Sequence, residues 1–440
     1  MRRRVHWRFV RGVLRYLGES RGQPLYLELD ADITGEQRAI RDVAHQFAKE
    51  RLRPVSMQLD AMEADEVVAG DSPLWDVFAE WYSQGNHLIF ISEDVGGMGA
   101  GAIEQHLVYE ELGWGAVDLG ISLAVSAFPF TYAARYGTLL DRPSLHEEIL
   151  APFLEDREGK VRGCWAITEP VHGSDTLVPG LESFHQREAA GSCRAVKDGG
   201  DWIINGQKSS WVSNGTIATH ACLFCTIDPA KGMAGGGVAL VPLDLPGVSR
   251  GRPWRKIGQR ALPQGEIFFD DVRIPERYMI VDGDSYEATV EATIAGANAG
   301  MGALFTGVAR AALEEAVTYS RERVQGGRII SEHQLVQHIL FEMFSKVESA
   351  RQLSRAAMAY NATPNPPSVE HSIASKVVCT RTAFEVASDA IQIFGATGLT
   401  RGMPVEKFIR DARMSLIEDG VNELLGLVAG AHISKVYEAD

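Results

Sequence analysis

A carboxylate stands directly before a glycine near the end of the chain, at Asp419 and Gly420 in the run 410–423. A free aspartate has a pKa of about 3.9 and is a weak base in water. Burial disfavours the charged form and raises that pKa, so a desolvated aspartate becomes a stronger base. Asp419 is therefore either a candidate general base, if it is buried, or an aspartate solvated in a turn before Gly420.

Two polar segments earlier in the chain have residue types that suit a bound ligand. Residues 166–175 are rich in turn formers and offer backbone N–H groups and hydroxyls to polar ligand atoms. In residues 205–215, Trp211 lies beside small hydroxyl residues at a predicted strand end. Such a tryptophan can cover a flat ring while a hydroxyl reaches a ring nitrogen, although a tryptophan in a strand is more often part of the core.

Two later segments add groups that suit a nucleotide. Arg323, in residues 321–327, has a planar guanidinium that donates two hydrogen bonds to a phosphate at once. The alternative is that Arg323 is simply a charged residue at the end of a helix and binds no ligand. Residues 392–398 form a glycine-rich turn, which by itself indicates no particular ligand.

Taken in order, these segments resemble the motifs of the acyl-CoA dehydrogenase family. Residues 168–175 match every fixed position of its Thr-Glu-Pro-x-x-Gly-Ser-Asp motif, and the resemblance extends from about 33 to 433. It implies an α+β multidomain fold with an N-terminal helical domain, a middle antiparallel β-domain and a C-terminal four-helix bundle. It also implies bound FAD, oxidation of an acyl-CoA thioester to the trans-2-enoyl-CoA, and transfer of the electrons to an electron-transferring flavoprotein.

The resemblance assigns roles to individual residues. Asp419 would remove the α-proton, Trp211 would lie against the flavin face, and Ser213 would lie near flavin N5. The residues expected to contact the cofactor are Trp165, Ile167, Thr168, Trp211, Ser213, Arg323, Gln325, Gln334, Gln392, Phe394, Gly395, Val421 and Glu423. Those expected to contact the substrate are Ser174, Gly120, Ala124, Asn298 and Gly420. Because the family's equivalents of Arg323 and Gln392 reach the FAD of a neighbouring subunit, a homodimer or homotetramer is expected.

Several positions depart from the family pattern and keep alternatives open. Asp419 stands where the family usually has Glu, and Asn298 stands where members that bind CoA commonly have Arg. A carrier-protein thioester is therefore an alternative substrate. Nitroalkane oxidases share the fold and use Asp as base, but their arginine falls at Gly426 here. A third alternative is that the chain is a partner subunit of a heteromeric dehydrogenase in which some sites are degraded. Gly326, which stands where the family has Phe, would be one such site.

Small side chains at Gly120 and Ala124 suggest a deep or wide acyl pocket, because straight-chain members of the family can have larger polar residues there. The alternative is that these residues allow close helix packing. On the first interpretation, bulky or longer acyl groups should be better substrates than butyryl-CoA.

Composition limits the class of protein. A chain of 440 residues is too long for one ordinary core. A mean hydropathy of −0.08 and 45% hydrophobic residues describe a soluble globular protein. A net charge of −15 argues against nucleic-acid binding.

No apolar run predicts a membrane span, and the five cysteines predict neither a disulfide framework nor a metal site. A cytoplasmic location fits best, although seven arginines among the first 22 residues would also suit an organelle transit peptide.

The elements that position these motifs form three regions after a basic extension, 1–32. A helical region, 33–160, should begin at a capping box made by Thr34 and Gln37, with its first helix ending at Pro54. A β-rich region follows at 161–284 and a second helical region at 285–440.

Overall fold

Helices form the first part of the chain in the computed structural model, which describes Leu29 and residues 32–436. The predicted basic extension therefore lies almost wholly outside the described residues. The helices of this part are α1 (Gly35–Phe47), α2 (Arg53–Ala61), α3 (Ala64–Val67), α4 (Leu74–Ser83), α5 (Ala102–Ser126), α6 (Phe128–Leu139), α7 (Pro143–Leu145) and α8 (Ala151–Glu155).

The predicted capping box is confirmed, but the predicted helix end is wrong. Gln37 N–H donates to the Thr34 hydroxyl and Thr34 N–H donates to the Gln37 side chain, so α1 begins as expected. The chain does not leave the helical conformation at Pro54. A π-helical turn, Ala48–Leu52, joins α1 directly to α2 and leaves Pro54 in the first turn of α2. Proline is tolerated there because the first turn of a helix has N–H groups without helical partners.

The middle of the chain forms one twisted, mostly antiparallel sheet. Its strands are β1 (Gly163–Ala166), β2 (Arg194–Asp198), β3 (Asp201–Ser213), β4 (His220–Thr226), β5 (Gly236–Pro242), β6 (Val248–Arg250), β7 (Gln264–Pro275) and β8 (Met279–Val281). The order is β6-β7-β3-β2-β4-β5-β8, and β1 pairs in parallel with β4. The pairing of β3 with β7 places Ser213 opposite Gln264. Cys222 and Cys225 lie in β4 and are buried, as the apolar pattern predicted.

Helices return after the sheet. They are α9 (Tyr286–Glu322), α10 (Gln334–Asn361), α11 (Val369–Phe394), α12 (Pro404–Ser415) and α13 (Asn422–Val436), with a two-stranded hairpin, β9 (Val324–Gln325) and β10 (Arg328–Ile329), between α9 and α10. The predicted sequence of a helical, a β and a second helical region is confirmed. Helix α9 is buried along most of its length and packs on α5, α10 and α11.

Glycines bring the backbones of α5 and α9 into contact. A Cβ added at Gly113 would lie 1.8 Å from the carbonyl oxygen of Leu304, and one added at Gly307 would lie 2.0 Å from that of Glu110. Both separations are far below a van der Waals contact, so only glycine permits this approach. The two helices therefore join the first helical region to the last through main-chain contact.

One helical stretch among the described residues, Ala102–Leu139, is long and apolar enough by composition to cross a membrane. It comprises α5 and α6, and 67% of its most apolar window is buried inside the protein. Such burial is typical of a core helix, because the apolar surface is already covered by protein.

Candidate active site

A cavity of about 1040 Å³ opens where α5, α6, α9, the sheet and the segment after α12 meet. Apolar side chains from the helices form one end of it, among them Phe90, Tyr109, Met301 and Met358. The predicted site residues in its wall are Ala124, Trp165, Ile167, Thr168, Ser174, Trp211, Ser213, Asp419 and Gly420. The predicted base, Asp419, thus lines the same cavity as residues predicted to contact the cofactor and the substrate.

The segment that holds Asp419 follows α12 and has a special backbone conformation. Asp419 has φ 52° and Gly420 has φ 95°, both in the left-handed region. Glycine adopts this region freely and aspartate more readily than most residues. The segment turns sharply before α13, so Asp419 lies half-buried at the cavity wall.

Three side chains from three different elements hold this turn. The Ser174 hydroxyl accepts a hydrogen bond from Val421 N–H at 2.9 Å. Lys376, buried in α11, donates to the carbonyl of Gly420 at 2.7 Å. Asn298, buried in α9, donates to the carbonyl of Asp419 at 3.3 Å. Asp419 is consequently fixed relative to both the sheet and the helical bundle.

Burial raises the pKa of Asp419, and the nearby Lys376 ammonium opposes that shift. The preceding residue, Glu418, also lines the cavity. Burial raises the pKa of Glu418 to about 8, with the Asp419 charge adding to the effect and a hydrogen bond from Gln259 opposing it. Two adjacent carboxyls therefore share the wall, and burial favours the protonated form of the second.

Another part of the cavity wall has the features of a planar, hydrogen-bonding ligand site. Trp211 remains 48% exposed although it lines the cavity. The Ser213 hydroxyl accepts a hydrogen bond from the Gln264 side chain at 3.0 Å, and its own proton has no acceptor among the described residues. An exposed aromatic face beside a free hydroxyl donor fits a flavin ring, which offers a flat surface and acceptor nitrogens.

Two predicted substrate contacts are corrected by the structure. Gly120 lies away from the cavity wall, where an added Cβ would meet Leu112 at 3.1 Å and Leu304 at 3.2 Å. Its small size serves helix packing, the alternative left open by the sequence, whereas Ala124 does line the cavity. Asn298 is also absent from the wall, because its side chain is buried against the turn that it supports.

The remaining predicted cofactor residues lie outside the cavity. Arg323, Gln325, Gln334, Gln392 and Gly395 are exposed, and each lies close in sequence to the hairpin or to the end of α11. Tyr319, near the end of α9, stacks on Phe394, the last residue of α11. The ring of Phe394 is buried in that stack, and its predicted contact with the cofactor stays a prediction. Val421 and Glu423 flank the start of α13; Val421 is tied to Ser174 and Glu423 is exposed.

Sequence reasoning missed several residues that organise the site. Lys376 lies on the buried face of α11 with Ser372 and Cys379, and a lysine at such spacing is a signal that could have been followed. Glu418 directly precedes Asp419 in the sequence, so a second carboxylate at the site could have been recognised. The contacts of Gln259 with Asp411 and Glu418 arise only when the sheet region folds against the helices, and those of Gln264 arise when β7 pairs with β3, so no local pattern indicated them.

Comparison with known proteins finds similarity to one family over most of the chain. Profiles of the acyl-CoA dehydrogenase N-terminal, middle and C-terminal domains match residues 34–141, 164–272 and 288–433. Benzylmalonyl-CoA dehydrogenase of Aromatoleum aromaticum is 31% identical over 92% of this chain and 100% of its own length.

Solved structures give the same result. Butyryl-CoA dehydrogenase from Megasphaera elsdenii is 26% identical with a TM-score of 0.80, covering 92% of this chain and 100% of that one. A chain solved in a study of the electron transferring flavoprotein of Acidaminococcus fermentans is 28% identical with a TM-score of 0.79, covering 92% and 99%. With the three domain matches, these similarities show that the chain belongs to the acyl-CoA dehydrogenase family, whose members are flavoprotein oxidoreductases.

Proposed function

We propose that the protein catalyses FAD-dependent α,β-dehydrogenation of an acyl-CoA thioester, with Asp419 as the base that removes the α-proton. One observation supports this most directly: Asp419 and the flavin-site candidates Trp165, Thr168, Trp211 and Ser213 line a single cavity. A base must reach the substrate's Cα and a hydride acceptor its Cβ, and a single cavity lined by both sets of groups allows this.

FAD, when bound, supplies the chemistry that side chains lack, because its N5 accepts the β-hydrogen with its electron pair. The protein's part is to bind, orient and remove the proton. Asp419 N–H donates to no described residue, so it is free to bind the thioester oxygen and stabilise the developing enolate. Loss of water from the cavity on substrate binding would raise the basicity of Asp419 further.

The acyl group is proposed to be bulky or long. Ala124 contributes only a methyl group to the wall, and the stacked rings of Phe90 and Tyr109, with centroids 5.0 Å apart, offer an apolar surface. Each buried methylene contributes about 0.8 kcal/mol. Three or four additional methylenes could therefore change affinity by tens to a hundredfold, about 1.4 kcal/mol corresponding to tenfold. The similarity to a dehydrogenase named for benzylmalonyl-CoA agrees with a ring-bearing acyl group.

The proposal includes two partners. Electrons would pass to an electron-transferring flavoprotein, as the family membership suggests. The exposed group Arg323, Gln325, Gln334 and Gln392 lies away from this chain's own cavity, which suits contact with FAD of a second subunit in a homodimer or homotetramer.

The catalytic role is tested by Asp419→Asn. The variant should bind FAD as the wild type does, yet an acyl-CoA substrate should fail to bleach its flavin, because the amide cannot accept the α-proton. Anaerobic stopped-flow absorbance measures the bleaching and the ratio of FAD to protein measures binding. Glu36→Gln, at an exposed carboxylate in α1 that does not line the cavity, is the matched control and should bleach normally. Normal bleaching by Asp419→Asn would refute the assignment.

The substrate class is tested by the same bleaching assay across acyl-CoA esters. Ring-bearing and longer acyl groups should give apparent affinities tens of fold better than butyryl-CoA. A preference for butyryl-CoA would contradict the pocket argument. Bleaching by a carrier-protein thioester alone would instead show that CoA is not the natural carrier.

A further inference from the structure

Lys256 is a buried lysine next to the flavin side of the cavity that the catalytic scheme does not use. It is 7% exposed and forms no ion pair with any carboxylate of the described residues. Its ammonium nitrogen lies 2.7 Å from the carbonyl oxygen of Leu262 and 2.6 Å from the side-chain oxygen of Gln264. Burial lowers the pKa of Lys256 to about 7, although the charge of Glu418 opposes this. A lysine buried without a counter-ion is costly, which indicates a specific role.

The contacts of Lys256 decide which way round the Gln264 amide lies. Both neighbours of the lysine nitrogen are acceptor-only oxygens, so Lys256 donates to each of them whether it is charged or neutral. The Gln264 oxygen must therefore face Lys256, and its NH₂ group must face the other way. Strand pairing places Ser213 directly opposite Gln264, and the NH₂ group donates to the Ser213 hydroxyl at 3.0 Å.

The amide orientation then determines what the Ser213 hydroxyl can do. Because its oxygen accepts from Gln264, its proton is not used in that bond. No described residue accepts this proton, and Ser213 lines the cavity. If the amide were reversed, Ser213 would donate to Gln264 and present only lone pairs to a ligand.

We propose that Lys256 is a positioning residue for the flavin: by fixing the Gln264 amide, it makes the Ser213 hydroxyl a hydrogen-bond donor to flavin N5. The inference rests on the proposed function, because it assumes FAD in the cavity. It adds a three-residue chain, Lys256 to Gln264 to Ser213, in which each member donates to the next. The chain's direction matches the flavin, since N5 of the oxidised ring is an acceptor.

The test is the ¹⁵N resonance of N5 in protein loaded with ¹⁵N5-labelled FAD. A hydrogen bond to this nitrogen moves its resonance upfield, and a purely structural role of Lys256 would leave it unchanged. Gln264→Glu is the sharpest variant, because it keeps the size of the side chain and adds an ion pair with Lys256. The carboxylate has no donor, so Ser213 must donate to it and lose its bond to N5. Lys256→Met should have the same effect by freeing the amide to turn.

We expect Ser213→Ala, Gln264→Glu and Lys256→Met to move the N5 resonance downfield by similar amounts. Each should weaken FAD binding about two- to tenfold, the size expected for one hydrogen bond. Adding Lys256→Met to Ser213→Ala should have little further effect, since both act on one bond. If Lys256→Met does not fold, Gln264→Glu, which retains a partner for Lys256, decides the matter.

Movement of the resonance in Ser213→Ala but in neither Gln264→Glu nor Lys256→Met would overturn the inference and leave the proposed function intact. So would an unchanged resonance in Ser213→Ala. Wild-type protein that binds no FAD and is not bleached by any thioester would refute the proposed function and this inference together.

Discussion

At the scale of single residues, Asp419 and Glu418 show how two adjacent carboxyls acquire different roles. Asp419 has the raised pKa of a desolvated base with Lys376 nearby. Glu418 is held by Gln259 and has its pKa raised to about 8. In the proposed reaction, a neutral Glu418 adds no negative charge where an enolate would develop, whereas an ionised Glu418 would oppose that enolate.

This difference predicts a bell-shaped pH dependence of substrate-induced flavin reduction. The rate should fall at low pH as Asp419 becomes protonated, and fall again above about pH 8 as Glu418 ionises. The charged groups facing Glu418 are Asp419, Lys376 and Lys256, and the side chain of Gln259 contacts it. Glu418→Gln should remove the alkaline limb and retain the acid limb in stopped-flow rates from pH 5.5 to 9.5.

The matched control is Glu36→Gln, which removes one exposed carboxylate outside the cavity wall and should preserve both limbs. An alkaline limb that persists in Glu418→Gln would show that another group causes it, with Lys376, whose pKa is lowered to about 8 by burial, the next to examine.

At the scale of elements, the contact between α5 and α9 depends on glycine. Gly307→Ala should destabilise the protein by about 1–3 kcal/mol, because the new methyl group would overlap the Glu110 carbonyl and neither backbone can yield easily. Chemical unfolding measures the change. Gly296→Ala, in the same helix with open space around it, is the control and should be neutral or stabilising by up to about 1 kcal/mol. Equal effects of the two substitutions would contradict the packing argument.

The elements also show what the sequence alone could establish. The capping box at Thr34 and Gln37 was predictable because both partners are three residues apart. The end of the first helix at Pro54 was not, because a π-helical turn is a backbone adjustment with no sequence signature of its own. Motif order placed Asp419 and Trp211 in one site. The support that Asn298 and Lys376 give to the turn depends on tertiary packing, and local patterns contain no information about it.

At the scale of the whole molecule, a buried ionic cluster joins the three regions. Lys407 of α12 donates to Asp118 of α5 at 2.8 Å and also binds Asp411. Asp411 accepts from Gln259 N–H, in the segment before β7, and Asp118 accepts from the Ser56 hydroxyl at 2.8 Å. The positive charge of Lys407 thus compensates the charges of two buried carboxylates, and the groups that bond to these carboxylates come from all three regions.

Removal of that lysine should destabilise the entire protein. Lys407→Met would leave two buried carboxylates without their partner, at a cost of about 3–5 kcal/mol. Lys346→Met, which removes a partly exposed lysine paired with Glu385, should cost about 0–1 kcal/mol. Chemical unfolding followed by tryptophan fluorescence and far-UV circular dichroism should show the difference, with both probes changing together. A small effect of Lys407→Met on the free energy of unfolding would mean that water or structural relaxation compensates for the loss of the Lys407 charge.

The main-chain contact of α5 with α9 also bears on how substrate range can change during evolution. The two helices, which line the cavity proposed to bind the acyl group, cannot slide or separate without losing the approach at Gly113 and Gly307. Adaptation to a new acyl group must therefore occur through substitutions at wall positions such as Ala124 and Met358, each adding or removing volume in a scaffold of constant dimensions. New specificities should arise in discrete, side-chain-sized steps.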